Sequence, residues 1–268
     1  MKIAVVSKRQ VASQKDDIIA DLKKRGDFEV CELLSANEIS DEFDRILVFG
    51  GDGTMLDAVR YAVKFDIPVL GVNLGHLGFL TAFDDDATSN DLTKALKSDD
   101  FVKKSLLQVT TGGADYVALN ELVVKSVSTR PMVADLFVNG NFVDTYKSDG
   151  LIISTPTGST AYSLSAGGPV LAPDVKAIVI NPICAHSLHS RPLVVGEDSK
   201  IEIVISGEES EASLTLDGNI AGYARFRDRI CVEKSPYYAR FVAGKDENFF
   251  NKLLKKMNVW STTLQKTE

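Results

Sequence analysis

Apolar and polar positions change their spacing near residue 100. Before that point, short apolar runs alternate with helical periodicity: Ile3–Val6, Phe28–Leu33, Ile46–Phe49 and Val69–Val72 are the runs. Between the first two, Ser13 with Asp16 three residues on predicts a helix start, and Lys23-Lys24-Arg25 before Gly26 predicts its end. Met55–Val63 places apolar residues three and four apart, which predicts a second helix. Apolar strands separated by helices point to a parallel sheet covered on both faces, a Rossmann-like α/β domain. Beyond residue 100, short β-forming segments take over. Leu119–Val127 and Asp135–Val143 are two, and the second holds the hairpin signal Asn139-Gly140. Ile201–Ser206 alternates apolar and polar residues, and Leu214–Leu216 and Ile230–Val232 read similarly. Two packed sheets, an all-β β-sandwich, are expected there. An amphipathic helical pattern resumes over Asn248–Met257, so the tail is expected to return to the first domain. The expected division is 1–100 plus 246–268 for the α/β domain and 101–245 for the β domain.

Composition narrows the class. The chain has 268 residues, 44% hydrophobic and 25% charged, the balance of a globular protein. A net charge of −7 argues against a general nucleic-acid binder, yet allows an anionic small molecule in a local pocket. No apolar run reaches the roughly 18–20 residues of a membrane helix, so no membrane partner is expected. Met1–Ser7 is too short an apolar stretch for a signal peptide. Cys31, Cys184 and Cys231 are few and scattered, and read as buried thiols in a reducing, cytoplasmic compartment.

The chemistry gathers at glycine-rich segments. Arg45–Phe49 runs into Gly50-Gly51-Asp52-Gly53-Thr54, and a helix follows. Glycines expose backbone N–H groups to phosphate oxygens, and the helix adds the positive end of its dipole. Thr54 reads as the helix N-cap, leaving Asp52 free to accept a proton or hold a metal. Neither G-x-x-x-x-G-K-[ST] nor a strand-borne G-x-G-x-x-G occurs. Asn73–Thr81 follows the next strand and is expected to form a second wall of one crevice. Asn120-Glu121 interrupts an apolar run, where an unpaired polar group would cost about 1–3 kcal/mol, and both side chains suit ribose hydroxyls or an adenine edge. Ser148–Pro169 is dense in hydroxyls and glycines, and Tyr162 offers a flat face for a purine. His186-x-x-His189 lacks a third ligand and is not read as a metal site. Asp217-Gly218-Asn219 is first a turn signal.

Together these segments resemble the NAD kinase family. Gly50–Thr54 is similar to its hallmark loop, Asn73–Thr81 to its second loop, Asn120-Glu121 to its N-E pair, and Asp149-Gly150 with Thr155–Pro169 to its long signature. Ala185–Leu188 with Arg191-Pro192-Leu193 is similar to its P-H-S-L stretch, and Asp217-Gly218 to its late D-G turn. The resemblance implies a two-domain NAD kinase fold and transfer of the γ-phosphate of ATP to the 2′-hydroxyl of the adenosine ribose of NAD, giving NADP. It implies Asp52 as general base, with Gly51 and Gly53 facing donor phosphates and a divalent ion, magnesium. Asn120 and Glu121 would hold the adenosine half. Thr160, Ala161, Tyr162 and Ser165 would line the adenine and ribose pocket, with Tyr162 stacking, and Thr157 belongs to the same implied binding set. Asp149 would reach the dinucleotide, and Lys147, Ala185 and Asn219 complete the implied binding set. Lys147 stands where some members have arginine, and Ala185 where proline is common; a single ammonium cannot make arginine's bidentate contact. A homotetramer built from dimers is also implied. A lipid kinase of the same fold, of the diacylglycerol type, is the rival enzyme, and a dinucleotide sensor without turnover is the non-enzymatic rival.

Overall fold

The computed structural model describes residues 1–7, 13–75, 78–187, 189–244 and 249–256. The chain forms two compact units, Met1–Lys103 with Ala239–Glu268, and Lys104–Tyr238.

In the first unit, β1 (Lys2–Ser7), β2 (Glu29–Glu32), β3 (Arg45–Phe49) and β4 (Val69–Val72) form a parallel sheet ordered β2-β1-β3-β4. Helices α1 (Ser13–Lys24), α2 (Asp52–Ala62) and α3 (Ser89–Lys97) accompany it. Ile46–Phe49 are wholly buried, as a strand covered on both faces must be. Helix α2 buries Met55, Ala58, Val59 and Ala62, the stripe that its spacing predicts. Helix α3, which the apolar spacing does not single out, opens with a capping box between Thr88 and Asp91. Strands β3 and β4 are adjacent and in register, Phe49 opposite Val72. Their carboxyl ends therefore deliver Gly50–Thr54 and the loop from Asn73 side by side, where ligands of open α/β sheets bind.

The second unit begins in β5 (Phe101–Thr111) and continues through β6 (Ala114–Ala118), β7 (Glu121–Ser126), β8 (Met132–Val138), β9 (Asn141–Ser148) and β10 (Gly150–Ser154). A one-turn helix, α4 (Tyr162–Ser165), precedes β11 (Ala177–Ile183), β12 (Leu193–Gly196), β13 (Ile201–Ile205), β14 (Glu211–Leu216), β15 (Asn219–Arg225) and β16 (Arg229–Val242). One antiparallel sheet runs β12-β11-β10-β7-β14-β15. The other includes β9, β8, β13 and the start of β16. Leu122, Val124, Leu151 and Ile153 from the first pack with Leu136, Ile201, Ile203 and Ile230 from the second in one apolar core, so the unit is a sandwich. Asn139 (φ 52°) and Gly140 (φ 78°) turn the β8–β9 hairpin.

Strand β16 belongs to both units: Val232 pairs with Ile201, while Phe241 pairs in parallel with Val69 of β4. The return to the first unit thus starts inside a strand at Ala239, earlier than the sequence pattern suggested. Residues 249–256 are helical and belong to the first unit; Asn248 and Met257 lie outside the described residues. Two expectations need correction. Cys184 and Cys231 are exposed and Cys31 half-buried, all as free thiols; Cys231 occupies the outward phase of β16 between buried Ile230 and Val232. Asn120-Glu121 does not sit in the middle of a strand: β6 ends at Ala118, Asn120 lies between strands, and Glu121 is the first residue of β7, in the other sheet. Among the described residues no helix is long and apolar enough to cross a membrane.

Candidate active site

Asp52 opens α2, and Gly51 in extended backbone is its N-cap. The first N–H groups of that helix lack partners in a preceding turn. The Asp52 carboxylate does not cap its own helix. It reaches the neighbouring loop, where Oδ2 accepts the Phe79 N–H at 3.1 Å and Oδ1 accepts the Leu80 N–H at 3.0 Å. The Nζ of Lys256 stands 3.5 Å from Oδ2. Gly78 is required by this contact, since a Cβ there would lie 2.5 Å from Asp52 Oδ1. Asn73, buried, turns the loop by accepting the Gly75 N–H at 3.3 Å. So the two loops meet as expected, but through backbone amides. His76 lies outside the described residues. Thr54 is not the N-cap: it is the third residue of α2, and its buried hydroxyl has no partner among the described residues.

The second unit gathers another cluster at the β6–β7 junction. The Asp217 carboxylate accepts N–H bonds from Leu119 and Asn120, both at 2.7 Å, and from Glu121 at 3.1 Å. The D-G turn therefore anchors the start of β7, a role beyond the turn geometry read from sequence. Thr155 Oγ1 donates to the Leu119 carbonyl at 2.6 Å and accepts the Gly158 N–H at 3.1 Å. Gly158 packs on the Asn120 backbone so closely that any side chain would collide with its carbonyl. Asn120 and Glu121 are 8% and 6% exposed, and Glu121 Oε2 is buried without a partner among the described residues. Burial, and then the neighbouring Asp217 charge, push the Glu121 carboxyl up to about 8. Near neutral pH it is a protonated acid that can donate a hydrogen bond.

The hydroxyl-rich signature divides by burial. Ser154, Thr155, Ser159 and Ser163 are buried. The hydroxyls of Ser154, Thr155 and Ser159 bond to backbone carbonyls, so they build the turn. Thr157, Thr160 and Ala161 remain half-buried, and Tyr162 and Ser165 are exposed, which leaves their surfaces for a ligand. Lys147 and Asp149 run beside Ala185: the Lys147 carbonyl accepts the His186 N–H at 2.9 Å, and the Asp149 N–H donates to Ile183 at 3.0 Å. Ala185 lines a cavity of about 360 Å³ with Ala166, Gly167, Asn181 and Arg191. Asn219 donates to its own turn, Nδ2 to the Asp217 carbonyl at 3.3 Å.

Residues 6–101 match the ATP-NAD kinase N-terminal domain family and residues 119–244 the ATP-NAD kinase C-terminal domain family. The chain belongs to the NAD kinase family. It is 41% identical over 229 residues to the NAD kinase of Caldanaerobacter subterraneus subsp. tengcongensis, covering 83% of this chain and 81% of that one. It is 38% identical over 239 residues to the NAD kinase of Carboxydothermus hydrogenoformans, covering 87% and 85%. Among solved structures, an Archaeoglobus fulgidus NAD kinase in complex with ATP aligns at TM-score 0.80 and 31% identity over 96% of this chain and 99% of that one. Yeast NADH kinase complexed with NADH aligns at TM-score 0.82 and 26% identity over 96% and 86%. The activity of the chain is NAD kinase activity, a phosphotransfer, and the Caldanaerobacter, Carboxydothermus and Archaeoglobus relatives are NAD kinases rather than lipid kinases.

In each unit the geometry adds candidate residues that sequence reasoning missed. Asn181 is 1% exposed, its Oδ1 has no partner among the described residues, and its Nδ2 donates to the Ser163 carbonyl at 2.9 Å. A lone amide in the apolar run Ala177–Ile183 was its available signal. Lys252 and Lys256 come from the far end of the chain; Lys252 Nζ donates to the Thr81 carbonyl at 2.8 Å. Among the described residues no group of three or more His, Cys, Asp or Glu could hold a metal. A single carboxylate such as Asp52 fits an ion of the magnesium kind, which keeps several waters and needs few protein carboxylates.

Proposed function

We propose that Asp52 is the general base that takes the proton of the ribose 2′-hydroxyl of NAD while the γ-phosphoryl group of ATP is transferred to that oxygen. The 2′-oxygen bonds to the γ-phosphorus as the bond from that phosphorus to the bridging oxygen breaks. ADP leaves with the electron pair, and the hydroxyl proton passes to the carboxylate. A ribose hydroxyl is a poor nucleophile near neutral pH, so a positioned base and neutralised phosphates are the two needs. One observation carries the assignment: two backbone N–H groups of the adjacent loop orient the Asp52 carboxylate at an anion-attracting helix N-terminus. The N–H groups around Gly51 and Gly53 would receive donor phosphates, and bound magnesium would neutralise their charge.

The acceptor site is assigned to the second unit. Glu121, protonated, donates to a ribose or adenine acceptor, and Asn120 binds beside it. Tyr162 stacks on the adenine, with Thr157, Thr160, Ala161 and Ser165 around it. Lys147, Asp149, Ala185 and Asn219 meet the rest of the dinucleotide. The exposed apolar residues Ile220 and Tyr223 on edge strand β15 and Phe142 on β9 support association into a homotetramer, which sedimentation would test. Three free thiols support a cytoplasmic setting.

The test is Asp52→Asn. It is expected to fold and to form NADP at least about a hundredfold more slowly, the low end of what a positioned base contributes. NADP formation near the wild-type rate would overturn the assignment.

A further inference from the structure

The helical residues 249–256 reach the loop that holds Asp52 at several points. The rings of Phe249 and Phe79 lie 6.0 Å apart, and Lys252 Nζ donates to the Thr81 carbonyl at 2.8 Å. Lys256 Nζ lies 4.3 Å from the Phe79 ring centroid and 3.5 Å from Asp52 Oδ2. A contact of 3.5 Å is longer than the roughly 2.7–3.2 Å usual for an N–H to oxygen hydrogen bond. The side chains of Lys256 and Asp52 are 25% and 29% exposed, so water screens the pair and it breaks at little cost. The aromatic face keeps the ammonium at the site without neutralising it. A partly exposed cation thereby stands beside the proposed base, at a helix end that attracts anions. Asp52 Oδ2 meanwhile carries two donors, the Phe79 N–H and the ammonium, where an acceptor hydroxyl must approach.

We propose, resting on Asp52 as the base, that Lys256 is a catalytic cation: when ATP binds, its ammonium leaves Asp52 Oδ2 for an oxygen of the γ-phosphate. The exchange does two things. It places a fixed positive charge where charge is redistributed during phosphoryl transfer. It also opens one lone pair of Oδ2 for the 2′-hydroxyl. Lys256 keeps its proton throughout; the proton that moves is the hydroxyl's, to Asp52, and the bond that breaks is the γ-phosphorus to bridging-oxygen bond. The weak pair in the free enzyme is thus exchanged for a stronger, charge-assisted bond to a phosphate oxygen. The C-terminal segment therefore helps complete the donor site once the chain returns to the first unit.

The experiment compares Lys256→Gln and Lys256→Arg with wild type in the full-length protein, by calorimetric titration of magnesium-ATP and magnesium-ADP without NAD, and by kcat. In Lys256→Gln, ATP affinity is expected to fall about tenfold or more, the loss of one charge-assisted contact, with ADP affinity changed less than about twofold. kcat falls as well, NAD affinity and Tm stay near wild type, and Lys256→Arg recovers part of the ATP affinity and rate. Equal weakening of ATP and ADP would overturn contact with the γ-phosphate. Unchanged ATP affinity and kcat would overturn any contact with the donor. A joint loss of ATP affinity, NAD affinity and Tm would reduce Lys256 to a structural strap and overturn the proposal. If Asp52→Asn kept its turnover, the base assignment would fall, while the ATP-against-ADP comparison would still decide the role of Lys256.

Discussion

Two carboxyl groups in this chain live in opposite surroundings. Asp52, in the first unit, meets the N–H groups of Phe79 and Leu80 and the ammonium of Lys256, and is 29% exposed. Glu121, in the second, is 6% exposed, has a buried oxygen without a partner among the described residues, and faces the negative charge of Asp217. Donors and partial exposure suit a group that meets a phosphate-laden reaction centre. Burial with a retained proton suits a group that recognises a neutral hydroxyl or base edge. The contrast supports the proposed division, in which the glycine loops carry the reaction chemistry and the sandwich the substrate recognition, and each half can be disturbed separately.

The largest disturbance targets the seat of Asp52 without altering its chemistry. Gly78→Ala introduces a Cβ 2.5 Å from Oδ1, so the carboxylate must move. A displacement on the ångström scale is expected to lower kcat roughly a hundredfold, with NAD affinity preserved. A Gly78→Ala enzyme with wild-type kcat would show that the orientation of Asp52 is immaterial. A smaller effect is expected from the other half: Tyr162→Ala should raise the KM for NAD roughly tenfold, within the range of one lost base–aromatic stack, and leave kcat less affected. A fall in kcat at constant KM would reverse the assignment of Tyr162.

The gentlest disturbance is pH. The folded chain keeps the Glu121 proton up to about 8, whereas the unfolded chain releases it near 4.5. Between those values the unfolded state binds fewer protons, so this group's contribution to stability is full below 4.5 and declines as pH rises to about 8. Urea midpoints for wild type and Glu121→Gln should therefore diverge across that window, the glutamine variant losing less stability with rising pH. The KM for NAD should likewise rise above pH 8 in wild type only, by a few-fold, as one neutral donor is lost. Parallel pH profiles for the two proteins would contradict a protonated Glu121.

Much of the architecture was legible because it rests on local rules. The switch from helical spacing to strands, the Asn139-Gly140 hairpin and the two glycine loops at adjacent strand ends all follow from period and turn chemistry. The site was legible in its residue types and less so in its wiring. Thr54 reads as an N-cap by residue preference, yet Gly51 holds that position, because the chain leaves β3 straight into the helix. Asn120-Glu121 looks embedded in one apolar run because Ala118-Leu119 continues the pattern across a switch between sheets. The segment Ser148–Pro169 looks uniformly polar, but which hydroxyls fold the turn and which stay open depends on the carbonyls of Leu119 and Asn120, brought there by β7. Lys256 carries no local signal at all; only the return of β16 to β4 brings it to Asp52.

The division of labour between the two carboxyl groups is tested most directly by measuring the NAD dissociation constant of Asp52→Asn calorimetrically, beside its NADP turnover. The account predicts a dissociation constant within about twofold of wild type while turnover falls by about a hundredfold or more. NAD affinity lost in proportion to turnover, or turnover retained, would contradict it.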